Sequence, residues 1–86
     1  MRKLNKDEAE AEKIRLAGEI RSQYSTLVPV PNHFIDVTVT REFRHGSTHI
    51  VYVARVEATG WVANTAPGDT ELKALRALYE MLMGRY

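Results

Sequence analysis

The spacing of apolar side chains changes along the 86 residues in a way that divides the chain into five elements. Ile14, Leu16, Ala17, Ile20 and Tyr24 recur at intervals of mostly three and four, which predicts a helix that lays one face on a core. Asn5 followed by Glu8 has the form of a capping box, in which the Asn side chain accepts from an orphan amide and the Glu reaches back, so the helix is expected to start there. From Asp7 to Lys13 the only apolar side chains are alanines. Residues 1–13 are therefore expected to be a solvated helical extension and residues 14–86 the single domain. Pro29 and Pro31 impose extended geometry and end the helix before Val28.

The period then drops to two. Ile35, Val37 and Val39 alternate with Asp36, Thr38 and Thr40, the pattern of a half-buried strand over 34–41. After a loop at 42–47 containing Gly46, a second strand is expected over 48–58, with Ile50, Tyr52, Ala54 and Val56 as its inward face. A tight turn at Ala58, Thr59 and Gly60 leads into a short third strand at 61–64, and Ala66, Pro67 and Gly68 read as a loop breaker. The period returns to that of a helix after Asp69 or Thr70, either of which can act as N-cap, and Gly84 is the expected stop. Leu72, Leu75, Leu78, Tyr79 and Leu82 form its core stripe. Ala74, Ala77 and Met81 widen the apolar arc beyond the roughly 100° that one sheet face requires, so they are the expected protein interface, open to a partner or to a second copy. The fold class is α+β: one α-β-β-β-α domain, a three-stranded antiparallel sheet packed on two helices.

Composition narrows the function. A chain this short holds one core, and an apolar fraction of 44% with 27% charged residues is that of an ordinary globular domain. Its longest uncharged run contains Gln23, Asn32 and two prolines and cannot form a spanning helix of about 20 apolar residues, so no membrane association is expected. No apolar segment follows the first residues, so no secretory signal is expected and a cytoplasmic location is. The absence of cysteine removes thiolate chemistry and cysteine-ligated zinc. A net charge of +1 leaves attraction to nucleic acid dependent on a local patch.

No catalytic constellation emerges. His45 and His49 lie four apart but flank Gly46 at a hairpin, with no cysteine or nearby aspartate to complete a coordination set. The serines and threonines lack a recognisable base, and no glycine-rich phosphate loop is present. Neither a metal nor a cofactor is expected, and the chain reads as a binding protein, not an enzyme. The mixed cationic and aromatic residues around the first hairpin, Arg41, Phe43, Arg44, His45, His49, Tyr52 and Arg55, could contact phosphate, although Glu42 and Glu57 reduce the local field.

The element order resembles the double-stranded RNA-binding domain over residues 16–82. Glu19 lies where that family often carries a helix-one glutamate, Val28-Pro-Val-Pro31 is similar to its proline-containing crossing, and Gly46-Ser-Thr-His49 is similar to its Gly-Pro-x-His loop. The resemblance implies that the loop from Gly46 to His49 reaches an RNA minor groove; with the basic hairpin residues, the nucleic-acid contacts would be Arg41, Arg44, His45 and His49, with Glu19 nearby. The chain departs from the family at the last helix: in place of a Lys-Lys-x-Ala-Lys run stands Asp69-Thr-Glu-Leu-Lys73, whose acids repel phosphate. The resemblance then implies a member that keeps the scaffold for protein contacts or dimerisation. Small phage-encoded inhibitors resemble this chain in size and build, which would place it in a host cytoplasm. The expected function is a non-enzymatic protein-binding module that self-associates, an inhibitor or adaptor; the alternative is RNA or DNA binding through the basic first hairpin.

Overall fold

The computed structural model describes residues 6–43 and 49–84. Helix α1 (Lys6–Leu27) buries Leu16, Ile20 and Tyr24, three residues spaced by four and hence on one face. Ile14 does not belong to that stripe. It stands two residues before Leu16, about 200° around a helix of 3.6 residues per turn, and is 72% exposed. Asn5, the expected cap, lies outside the described residues. Residues 6–13 continue α1 without a break, and the Lys13 ammonium lies 3.5 Å from Glu71 of the last helix.

The crossing that follows α1 is tied to it at each step. The Val28 amide donates to the Tyr24 carbonyl at 3.0 Å, Ser25 Oγ donates to the Val30 carbonyl at 3.0 Å, and Arg21 Nε donates to the Ile35 carbonyl at 3.1 Å. A single 3₁₀ turn, Asn32–Phe34, then sets the chain into the sheet.

Strands β1 (Ile35–Phe43), β2 (Ile50–Ala58) and β3 (Asn64–Gly68) form an antiparallel sheet in the order β1-β2-β3. With the two helices this is the expected α-β-β-β-α domain. Ala54 and Val56 are wholly buried, so the inward face of β2 is the one the alternation indicates. Both backbone groups of Ile35 are engaged away from β2: its amide with the Asn32 carbonyl and its carbonyl with Arg21. Ile35↔Ala58 is therefore a non-hydrogen-bonded pair, and alternation along the ladder directs the amides and carbonyls of Val37, Val39 and Arg41 outward.

The third strand lies later than expected. Residues 61–63 are a connection, closed by the Trp61 amide on the Ala58 carbonyl at 3.0 Å, and the strand runs through the Pro67-Gly68 pair that reads as a breaker. Two local facts reverse the propensity. The same alternation turns the nitrogen of Pro67, opposite Val53, toward the open edge, where no donor is needed. At Gly68 an added Cβ would stand 2.4 Å from the Ala74 amide nitrogen and 2.8 Å from Ala74 Cα, so only glycine allows the closing helix this close.

That helix, α2 (Glu71–Met83), is capped by Thr70, whose side chain accepts from the Lys73 amide at 3.1 Å, and stops at Gly84. It packs on β2 and β3 along one side and on α1 along another. This double packing takes up part of its wide apolar arc and withdraws Ala74 from the expected interface. Ala74 is wholly buried, and Ala77 and Met81 are half-buried against the core. The second partner of α2 is α1 of the same chain. The described core is made of apolar side chains and Tyr24, whose hydroxyl is its one side-chain hydrogen-bonding group.

Candidate protein-docking surface

At the end of the sheet where α1 finishes, the connection between β2 and β3 folds over the last turn of the helix. Gly60, at φ +88°, makes the turn that brings Trp61 round, and the Tyr24 hydroxyl donates to the Val62 carbonyl at 3.1 Å, pinning the connection to α1. Asn64 Nδ2 also donates to that carbonyl, at 3.4 Å. With its backbone held from below, Val62 directs its side chain to solvent and is 87% exposed, and Trp61 is 46% exposed. Together with Leu27, Val28, Tyr24 and Asn64 they line an open hollow of about 550 Å³. None of these six side chains is charged at neutral pH. The chemistry available is apolar burial, an indole ring face and a few neutral hydrogen-bonding groups.

Of the residues expected to contact nucleic acid, the two described on the strands stand at the same hairpin end of the sheet, apart from Glu19. Arg41 is exposed at the far end of β1, opposite Tyr52, and His49 is exposed just before β2. Arg44 and His45 lie outside the described residues. Glu19 is half-buried on α1, where it pairs with Arg15 at 2.8 Å and shares a shallow depression with Tyr79 of α2. Glu12 and Glu19 between them raise the Arg15 pKa above the usual range, the hydrogen bond to Glu12 contributing most.

A second hollow, of about 510 Å³, lies where Ala9 and Lys13 of α1 meet Tyr52 and the start of α2. Its ionisable rim is Lys13, Asp69 and Glu71. Lys13 hydrogen-bonds Glu10 at 2.6 Å, and this contact, more than the pull of Glu71, holds its pKa above that of an ordinary lysine against the opposing effect of partial desolvation. The cation there is already neutralised by two carboxylates, an arrangement unfavourable to a phosphate. Among the described residues no group of three histidines or carboxylates is placed to hold a metal, and no helix is long and apolar enough to cross a membrane.

Trp61 and Val62 were not legible as surface residues from the alternation, which assigns them to a strand. The local signal beside them is Gly60, whose positive φ makes the turn that leaves both side chains exposed. Compared with protein-family models, with curated proteins and with solved structures, the chain matches none of them.

Proposed function

We propose that this chain is a non-enzymatic protein-binding module, an inhibitor or adaptor, whose contact surface is the uncharged hollow around Trp61 and Val62. The observation that carries the reading is the exposure of these two large apolar side chains on a backbone fixed by Tyr24. A rigid, exposed aromatic beside an aliphatic neighbour and a concave apolar wall is the composition of a binding hot spot, and its ordering cost is met in the free protein. An apolar side chain of a protein partner fits such a wall, whereas a nucleic acid backbone would find no cation in it.

The test is capture by the tagged full-length chain from the cells that produce it, with nuclease treatment and with Val62→Glu in parallel. The reading expects one protein retained in near-stoichiometric amount by the wild-type chain, resistant to nuclease and lost with Val62→Glu. Retention that nuclease removes would instead support the first hairpin as a nucleic-acid site, and retention unchanged by Val62→Glu would place the contact elsewhere.

A further inference from the structure

We infer that the open edge of β1 and the adjoining flank of α1 form a symmetric interface with a second copy of this chain. The edge of β3 is blunted by Pro67, but between residues 36 and 40 β1 carries neither the proline nor the lysine that commonly protects an edge strand. The outward amides and carbonyls of Val37 and Val39 have no hydrogen-bond partner among the described residues, and both side chains are only half-buried beneath the helix layer. Above them Ile14 is the most exposed large apolar residue of α1, at 72%.

Arg21 Nε fixes its turn of α1 beside Ile35. The helix runs back toward the hairpin end of the sheet, since Ala9 and Lys13 share a hollow with Tyr52, the partner of Arg41. Ile14 is seven residues before Arg21, nearly two full turns, so it lies on the same flank and about 10.5 Å along. Strand residues advance about 3.3 Å each, so that distance reaches three residues beyond Ile35, to Thr38. The exposed helix residue and the middle of the open edge are level.

A single added strand would satisfy the backbone of Val37 and Val39 but leave Ile14 uncovered above it. An occupant that covers both must bring a strand and, one layer up, an apolar helix flank at the same level, and a second copy does so. A two-fold axis through Thr38 pairs Val37 with Val39 of the other copy and sets Ile14 against its counterpart. It also sets Asp7 opposite Arg21 of the other copy, each seven residues from Ile14, and neither is in an ion pair with another described residue. Charge selects this register. An axis through Val39 would oppose Asp36 to Glu42, whereas an axis through Thr38 opposes Asp36 to Thr40. Gly18, with nothing within 4 Å of an added Cβ, leaves room on the same flank for the second helix.

The register supplies its own test, because the chain contains no cysteine. Thr38 directs its amide and carbonyl to β2, so Thr38 against Thr38 is a non-hydrogen-bonded pair, with Cα atoms about 4.5 Å apart and within the range a disulfide spans. Thr38→Cys in mild oxidant is expected to give a covalent dimer rapidly and at low concentration, and Thr40→Cys to lag it at least tenfold. In sedimentation the wild-type chain is expected at twice 9.8 kDa. Ile14→Glu should return it to one copy with an unchanged circular dichroism spectrum, and Val62→Glu should leave the dimer intact, which separates this interface from the proposed docking surface. A wild-type monomer at roughly millimolar concentration, where even weak association of about 4 kcal/mol is visible, would overturn the inference. So would a dimer indifferent to Ile14→Glu, or cross-linking equal at positions 38 and 40.

Discussion

Gly68→Ala tests the packing that positions both helices. The new methyl carbon would stand 2.4 Å from the Ala74 nitrogen, 2.8 Å from Ala74 Cα and 2.8 Å from the Lys73 carbonyl carbon. All three are backbone atoms of α2, so no side-chain rotation relieves the contact. Restoring an ordinary separation of about 3.5 Å moves the first turns of α2 roughly 1 Å from β3 and loosens the contacts of Ala74, Leu75 and Leu78 behind it. Overpacking of this kind costs about 1–3 kcal/mol, and backbone contact places it near the upper end. For a domain of this length each kcal/mol is worth about 4–8 °C, so the melting temperature should fall by roughly 10–20 °C. Thermal melts followed by circular dichroism give the number. Two other glycines calibrate it. Gly60→Ala has open space but a left-handed backbone and should lose about 1 kcal/mol, while Gly84→Ala, at φ −72° with only ordinary contacts, should stay within about 0.5 kcal/mol of wild type. Ala74→Gly should not rescue Gly68→Ala, because the obstructing atoms belong to the main chain. A Gly68→Ala melt within about 3 °C of wild type, or a rescue by Ala74→Gly, would refute the reasoning.

Thr70→Ala removes the cap on the Lys73 amide and should cost about 1 kcal/mol in urea unfolding. Tyr24→Phe loses the bond to the Val62 carbonyl, and about 0.5–1.5 kcal/mol with it; hydrogen exchange at residues 61–63 should accelerate more than in the core strands. Ala77→Glu introduces a charge into a half-buried site between α2 and the core and should lower the melting temperature of the folded chain itself. Lys13 has a raised pKa, so its contribution is fully present below the unfolded value of 10.5 and is lost as pH rises through the higher folded value. Melts above pH 10 should therefore decline less steeply in Lys13→Gln than in the wild-type chain, by a small margin because solvent screens the pair.

The helices and the first strand were legible because their inward residues state a period: Leu16, Ile20 and Tyr24 at four, Ile35, Val37 and Val39 at two, Leu75, Leu78 and Leu82 at three and four. It misled where a local propensity was overruled from a distance. Pro67 and Gly68 break a strand in isolation, yet an open edge tolerates the proline and the approach of Ala74 requires the glycine. The apolar arc of α2 looked unpartnered because a helix wheel counts the sheet as the only neighbour, and Ala74 and Ala77 proved to face a folded core that includes α1. Of the candidate site residues, Arg41 and His49 are exposed at the hairpin end of the sheet, Glu19 stands apart beside Tyr79, and Trp61 with Val62 emerged only once the turn at Gly60 was in place.

Trp61 is the chain's one tryptophan, so its emission reports on the proposed docking surface without labelling. Titration with the purified captured protein, itself replaced or tuned to be silent in tryptophan emission, should shift the Trp61 band to the blue and lower its quenching by iodide severalfold. Both changes should saturate at the stoichiometry of the complex, and Val62→Glu should abolish them. A partner that binds fully while Trp61 emission and quenching stay as in the free chain would contradict the account.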